Sequence, residues 1–392
     1  MSKNQFEGPD YYDVSSLLTE EQKLIRDSVR DWVDRRVIPD IEKYFRNHEF
    51  PHHLIKDLGE LGAFGPTIPE KYGGYGFDQI SYGLIMQELE RGDSGIRSMA
   101  SVQSSLVMYP ILNFGTEEQR LKYLPKLKSG ELIGCFGLTE PNHGSNPGGM
   151  ESRIVDKGDH YLLNGAKMWI TNSTIADISI VWAKDEGGII RGMIVEKDSK
   201  GYSAPEMHNK WSLRASVTGE LVFEDVMVPK ENMFPDIKGL KGPLTCLNAA
   251  RYGIAWGVLG AAMNCFNTAL KYSKERKQFN KPIAAFQLTQ KKLAEMLTEI
   301  TKAQLLAWRL GDLRNKDLAT SAQISMAKRN NVKIAINVAR EARQILGAMG
   351  IMGDFPIMRH MMNLESVMTY EGTHDMHLLI TGFDITGENA FV

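Results

Sequence analysis

Gly165-Ala166-Lys167-Met168-Trp169-Ile170-Thr171 is the stretch on which the fold turns. Upstream of it the apolar residues recur at helical spacing, and from about Gly130 onward the runs shorten and are broken by Gly, Asn and Asp. Short runs of this kind read as strands. Working outward, similar runs occupy 178–183, 189–195 and 220–228, so the section 132–228 reads as a compact all-β domain, a barrel or sandwich.

On the N-terminal side the pattern is helical. Thr19-Glu20-Glu21-Gln22 is a capping box opening a helix toward Phe45, with Leu24, Ile25, Val29, Trp32 and Val33 on one stripe. Further helices are expected over 53–61, 79–91 and 96–112, and Thr116-Glu117-Glu118-Gln119 repeats the capping signature. The cluster Gly73-Gly74-Tyr75-Gly76 follows no strand and has neither dinucleotide-fold nor P-loop spacing, so it reads as a structural loop. On the C-terminal side a linker ends near Pro243, and long helices are expected over 244–276, 286–313 and 321–346, with a last one from His374. Long helices joined by short turns imply a four-helix bundle. The fold class is therefore α+β multidomain: an N-terminal α-helical domain (1–130), a middle β-barrel or sandwich domain (131–240) and a C-terminal four-helix bundle (241–392).

Composition narrows the function. At 392 residues and ~150 per domain, two or three domains are expected, enough to bury a large ligand. A net charge of -2 offers no basic field for nucleic acid. Cys135, Cys246 and Cys265 are odd in number and lack CxxC spacing, which fits a reducing compartment and argues against a zinc site. Residues 1–16 carry neither a secretory nor a transit pattern, and no apolar run of about 18 residues is present, so no membrane partner is expected.

Near the C-terminus Tyr370-Glu371-Gly372-Thr373-His374-Asp375 sets a carboxylate between two apolar-patterned segments. Taken alone, Glu371 is either a chemical group or an exposed carboxylate at a helix start that Thr373 caps. Glu371-x-x-His374 with His377 also invites comparison with di-iron bundles. The other two Glu-x-x-His strings, at Glu49 and Glu140, contain proline or border the β section, so no second half-site exists and no metal is expected.

Five segments then combine. They are Phe136-Gly137-Leu138-Thr139-Glu140-Pro141 with Gly144-Ser145; Trp169-Ile170-Thr171-Asn172; Arg276-x-x-Phe279 with Pro282 and Gln287; Gln344-Ile345-Leu346-Gly347-Ala348-Met349-Gly350; and Tyr370-Glu371-Gly372-Thr373. In order, and over nearly the whole chain, they resemble the signatures of the acyl-CoA dehydrogenase family. The runs 88–98, 101–108 and 248–257 resemble its glutaryl-CoA branch. Departures are Asn146 for a frequent Asp, Ala348 for a second glycine, and Asn280 for the glycine after Phe279.

The resemblance implies a flavoprotein oxidoreductase that uses FAD. Glu371 would be the base that takes the α-proton of the acyl thioester while the β-hydride passes to flavin N5. The thioester carbonyl would be bonded by the Glu371 N–H and the flavin ribityl hydroxyl. Phe136, Leu138, Thr139, Ser145, Trp169, Ile170 and Thr171 would bind FAD from the β section. Arg276, Phe279, Gln287, Gln344, Leu346, Gly347, Thr373 and Phe391 would complete its site, some of them on a neighbouring subunit of a homotetramer. Glu90, Arg97, Ser98, Ser145, Leu247, Arg251, Tyr370 and Gly372 would contact the substrate, with Arg97 pairing a second carboxylate and Glu90 its resident partner. The implied reaction is oxidation and decarboxylation of glutaryl-CoA to crotonyl-CoA, in lysine or tryptophan breakdown. Electrons would leave to an electron-transfer flavoprotein, in the bacterial cytoplasm or the mitochondrial matrix. Its alternatives are a non-decarboxylating or short-chain enzyme, an oxidase, and a non-catalytic acyl-CoA-binding protein.

Overall fold

Thr19, Thr116 and Thr320 each stand one residue ahead of a helix, where the hydroxyl accepts the N–H of a Gln three residues on and the Gln side chain accepts from the Thr N–H. These reciprocal bonds satisfy donors that a helix start leaves open. The computed structural model describes residues 9–391, so the polar N-terminal stretch is seen only from Pro9 onward. The first helices are α1 (Glu20–Trp32), α2 (Ile41–Asn47), α3 (Leu54–Glu60), α4 (Gln79–Gly92), α5 (Ser94–Ser101), α6 (Tyr109–Phe114) and α7 (Glu117–Ser129). Seven strands follow: β1 (Gly134–Gly137), β2 (Arg153–Asp156), β3 (His160–Thr171), β4 (Ile178–Lys184), β5 (Ile190–Glu196), β6 (Tyr202–Ser203) and β7 (Thr218–Pro229). Then come α8 (Lys241–Glu275), a hairpin of β8 (Lys277–Gln278) and β9 (Lys281–Pro282), and α9 (Gln287–Asn315), α10 (Ser321–Leu346), α11 (Ile357–Thr369) and α12 (His374–Thr386). Helical first and last parts with a sheet between them are thus what the chain forms.

Local differences have local causes. The helix expected to run to Phe45 widens into a π-helical segment at Val33–Val37 and stops before α2. Pro39 lacks an N–H and its ring opposes the carbonyl four residues back, so the preceding turn cannot close as an α-turn. The helix expected over 96–112 is likewise split by a π-helical segment, Val102–Met108, just ahead of Pro110. By contrast Pro243 lies inside the first turn of α8, where its missing N–H has no partner to lose. α11, with no side-chain N-cap to mark it, was not anticipated.

The chain divides into two compact units. One holds the chain as far as Arg46, then Gln79–Arg97, then everything from Tyr252 on. There α1 packs on α4, α4 on α9, and α10 on α9, α11 and α12. The part of α8 that belongs to this unit is buried on every side from Tyr252 to Met263. Its approach to α4 is so close that a Cβ on Gly260 would lie 1.9 Å from the Gln87 carbonyl oxygen.

The second unit, Asn47–Asp78 and Ser98–Arg251, contains the seven-stranded sheet. β4 runs parallel to β1 and antiparallel to β5, and β2, β3, β7 and β6 continue in antiparallel pairs. Its core gathers Cys135, Ile154, Leu163, Val181, Met193, Leu221, Phe223 and Val226.

Helix propensity alone favours Gly260→Ala by about 1 kcal/mol. The clash with the Gln87 backbone reverses that sign: we expect a net loss of about 1–3 kcal/mol, read as a lower urea midpoint. An unchanged or higher midpoint would show that the two helices have room to separate.

Candidate functional site

The sharp corner between α4 and α5 decides where two charged side chains point. Arg359, on α11, donates through Nη1 to the Gly92 carbonyl and to Asp93 Oδ2, both at 2.7 Å, and Asn363 donates to Asp93 Oδ2 at 2.9 Å. Asp93 Oδ1 in turn accepts the Gly95 N–H at 2.7 Å, closing the corner. α11 is thereby fixed to the α4–α5 turn, and the residues just beyond its end are placed relative to those flanking the turn. Neither Arg359 nor Asn363 stood out in the sequence, because their contacts with Asp93 span 266 and 270 positions.

Glu90, one turn before the corner, and Arg97, one turn after it, are both fully buried. Arg97 Nε donates to Glu90 Oε2 at 2.7 Å, and the Ser94 hydroxyl donates to Glu90 Oε1 at 2.8 Å. Gly257 of α8 leaves room for that carboxylate, since a Cβ there would fall 2.2 Å from Glu90 Oε2. Arg97 Nη2 donates to the Tyr370 hydroxyl. Arg97 Nη1, also buried, has no hydrogen-bond partner among the described residues. Burial opposes the charge on Arg97, yet Glu90, Tyr370 and Glu371 outweigh it and hold its pKa above the ordinary arginine value. The Tyr370 phenol is pushed up as well, first by burial and then by the two carboxylates, against the pull of Arg97. The guanidinium is therefore a permanent buried cation beside a neutral phenol.

The loop from α11 to α12 brings Glu371 to the same cluster. Tyr370 is extended, Glu371 lies in the left-handed region at φ +53°, and Gly372 follows at +97°. A left-handed glutamate is uncommon and must be held by its surroundings. Thr373 caps α12 by accepting the Met376 N–H at 3.2 Å. From α10, Lys328, 1% exposed, donates to the Tyr370 and Gly372 carbonyls, each at 2.8 Å. Sequence reasoning missed Lys328 altogether. Ser98 is buried next to Arg97 on α5. Leu247 and Arg251 lie on the first turns of α8, where Arg251 is 6% exposed and donates to Asn248 Oδ1 at 3.3 Å.

In the sheet unit a second group assembles where the chain leaves β1 and where β3 ends. Lys167, fully buried, donates to Glu140 Oε1 at 2.7 Å and to the Leu138 carbonyl at 3.3 Å, and Glu140 also accepts the N–H groups of Glu151 and Ser152. The Met168 N–H donates to the Thr139 carbonyl at 2.8 Å. Burial lowers the Lys167 pKa to about 8 against the pull of Glu140. Phe136, Leu138 and Ile170 point inward. A bulge after Lys167 turns Trp169 outward at φ +63°, 58% exposed; half-buried Thr171 lies two residues on, and half-buried Thr139 is tied to this stretch through the Met168 N–H. Ser145 is exposed on the loop beyond Glu140.

The remaining candidates are on other elements of the chain. Arg276, Phe279 and Gln287 are exposed on and beside the β8–β9 hairpin, and Phe279 is 88% exposed. Gln344 is exposed near the end of α10, Leu346 is buried, Gly347 turns the chain at φ +58°, and Phe391 is 45% exposed. The three departures fit their backbone. Asn280 adopts φ +62° in the two-residue hairpin turn, a conformation Asn tolerates, while Asn146 and Ala348 need no positive φ. Among the described residues no group of three His, Cys, Asp or Glu side chains is placed to hold a metal, and no helix is long and apolar enough to cross a membrane.

Comparison with known proteins adds the following. The N-terminal, middle and C-terminal domain models of acyl-CoA dehydrogenase match residues 19–131, 135–226 and 238–384. An acyl-CoA dehydrogenase of Bacillus subtilis is 39% identical over 93% of this chain and 97% of its own length. A short-chain-specific acyl-CoA dehydrogenase of Clostridium acetobutylicum is 37% identical over the same shares. Among solved structures, a glutaryl-CoA dehydrogenase from Mycobacterium smegmatis in complex with FADH2 is 47% identical, covers 99% of this chain and 100% of its own, and superposes with a TM-score of 0.97.

Arg359→Leu should leave Asp93 buried without its cation. We expect a loss of about 3–5 kcal/mol in denaturant unfolding; a loss below 1 kcal/mol would mean the corner is held by packing alone.

Proposed function

Because this chain belongs to the acyl-CoA dehydrogenase family, a family of FAD-dependent oxidoreductases, we propose that its substrate is glutaryl-CoA and that it carries the reaction through to crotonyl-CoA and CO2. The observation that carries the proposal is Arg97: a fully buried guanidinium with one carboxylate partner and a buried Nη1 that bonds nothing among the described residues. A dicarboxylic acyl chain ends in a group that accepts from that nitrogen. A monocarboxylic chain would leave the donor dry and unmatched, and sites built to hydrogen-bond a substrate group reject analogues that lack it.

The residues of the chain divide the work. Glu371 takes the α-proton, which a positioned carboxylate can do where water is excluded. Its own N–H would bond the thioester oxygen as that oxygen gains charge. Tyr370 and Gly372 are assigned to shaping the pocket, and Ser98, Ser145, Leu247 and Arg251 to contacts with the acyl chain or the CoA portion. Arg97 holds the distal carboxylate, and Glu90 keeps it from binding that group too well. When CO2 leaves, the carboxylate's charge passes into the dienolate, and Arg97 would be stranded as a buried cation if Glu90 did not stay paired with it. The dienolate then takes a proton at the γ-carbon.

The sheet unit fits the cofactor. Trp169 offers an exposed indole face held by a bulge, beside the backbone of Leu138 and Thr139 that Lys167 and Glu140 fix, a surface suited to a flat conjugated ring. Phe136, Ile170 and Thr171 complete that side; Thr373, Arg276, Phe279, Gln287, Gln344, Leu346, Gly347 and Phe391 are assigned to the rest of FAD. Bound there, FAD supplies the hydride acceptor. Arg276 and the outward-pointing Phe279 serve the cofactor of a neighbouring subunit, which makes the working form an oligomer, a homotetramer by family likeness. Reoxidation is assigned to an electron-transfer flavoprotein, and the pathway to lysine or tryptophan breakdown. The division into domains at 130/131 and 240/241 belongs to the same proposal.

Mixed anaerobically with glutaryl-CoA, the purified flavoprotein should lose its flavin colour and release crotonyl-CoA and CO2. Bleaching with butyryl-CoA but not glutaryl-CoA would move the substrate to the short-chain class, which the Clostridium relative keeps in view, and glutaconyl-CoA without CO2 would remove the decarboxylation step. Arg97→Met should lower kcat/KM for glutaryl-CoA by about 10²-fold or more, the scale of truncating one partner of a buried charge pair, and lower that for butyryl-CoA much less. Glu371→Gln should bind FAD and substrate and fail to bleach. Retained bleaching would take the base role from Glu371.

A further inference from the structure

Lys328 is buried at 1% exposure, and a buried ammonium must spend its donors on partners or lose its charge. Two of its hydrogen bonds go to the carbonyls of Tyr370 and Gly372, the residues on either side of Glu371. Both oxygens lie 2.8 Å from one nitrogen, so they are at most about 5.6 Å apart. In an extended chain, carbonyls two residues apart are separated by about 6.6 Å. The two therefore converge on one ammonium only because the chain turns at Glu371, through its left-handed φ of +53° and that of +97° at Gly372. The same ammonium lies 5.9 Å from the centre of the Tyr370 ring, whose hydroxyl is held by Arg97.

From this we infer that Lys328 is a positioning residue: its ammonium clamps the peptide groups on both sides of Glu371 and holds the carboxylate-bearing residue in the strained turn that aims it at the substrate's α-carbon. The inference rests on the reading of Glu371 as the base. Without the clamp, nothing else described on α10 bonds these two carbonyls, and Glu371 can relax toward the right-handed backbone that a non-glycine residue prefers. A displacement of about 1 Å at a reacting group costs about 10²-fold in rate. Substrate binding, which depends on Arg97 and the rest of the pocket, would change little. A role confined to stability makes the opposite prediction: lower melting temperature, unchanged turnover per folded molecule.

The test separates proton removal from hydride transfer by using 3-thiaglutaryl-CoA, which keeps an acidic α-C–H and has sulfur in place of the β-carbon, so no hydride can leave. Exchange of its α-protons with D2O is followed by NMR on the FAD-loaded full chain for wild type, Lys328→Met, Lys328→Gln and Glu371→Gln. The clamp predicts that Lys328→Met retains FAD and binds the analogue within threefold of wild type, yet exchanges about 10²-fold more slowly. Lys328→Gln, whose amide donates to at least one of the carbonyls, should fall between the two. Exchange in Lys328→Met within threefold of wild type overturns the clamp. If Lys328→Met does not fold, Lys328→Gln carries the same criterion, and failure of both to fold with FAD overturns a positioning role in favour of a purely structural one. Exchange at the wild-type rate in Glu371→Gln means instead that the base assignment has failed.

Discussion

A guanidinium that is wholly out of water sets the terms for the helical unit. Arg97 cannot shed its proton, so every element around it must supply compensation or make room. Glu90 gives the opposite charge, the corner between α4 and α5 gives the turn that folds the two side chains together, and Asp93 with Arg359 and Asn363 makes that corner rigid. α8 carries glycine where the Glu90 carboxylate must sit. The tight packing of α4 on α8 is thus tied to an electrostatic requirement as much as to burial of apolar surface.

The sheet unit repeats the device on a smaller scale. Lys167 and Glu140 form a buried pair whose remaining capacity is spent on backbone groups, the Leu138 carbonyl on one side and the Glu151 and Ser152 N–H groups on the other. Such a pair adds little net stability, yet it fixes which way two stretches of loop run against β3. In both units the charged pair is inside, and the residues proposed to meet ligand include ones on the segments that it ties down. The loop carrying Glu371 follows the same logic, with backbone carbonyls in place of a carboxylate.

Sequence reasoning saw what is local. The period change before Gly165, the capping boxes at Thr19 and Thr116, and the extents of α4, α9 and α10 follow from residues within a few positions of one another. Glu90 and Arg97, seven positions apart, were paired by way of the family resemblance, and the structure joins them. Asp93 with Arg359, and Lys328 with the loop 42 and 44 positions downstream, meet only after the helices have packed, and no spacing in the sequence announces them. The π-helical segments show the converse: Pro39 and Pro110 were in plain view, but apolar periodicity carried the expected helices across them. Asn280 shows that a departure from a familiar glycine is harmless when the backbone needs only a residue at ease with positive φ.

The discontinuous make-up of the helical unit has a consequence for how the protein is made. α1 and α4 emerge from the ribosome long before α8, whose docking surface for α4 starts at Tyr252. At about 5–20 residues per second, the intervening chain takes about 10–30 s to synthesise. Throughout that interval the apolar stripe of Ile80, Leu84, Ile85 and Leu89, buried in the finished fold, has no partner from the last third of the chain. The nascent protein therefore passes through a window in which aggregation competes with folding, and holdase chaperones are the natural guardians of that surface. Slow or stalled translation of the sheet unit would lengthen the window, so synonymous codon choice between 98 and 251 bears on yield without altering a single side chain.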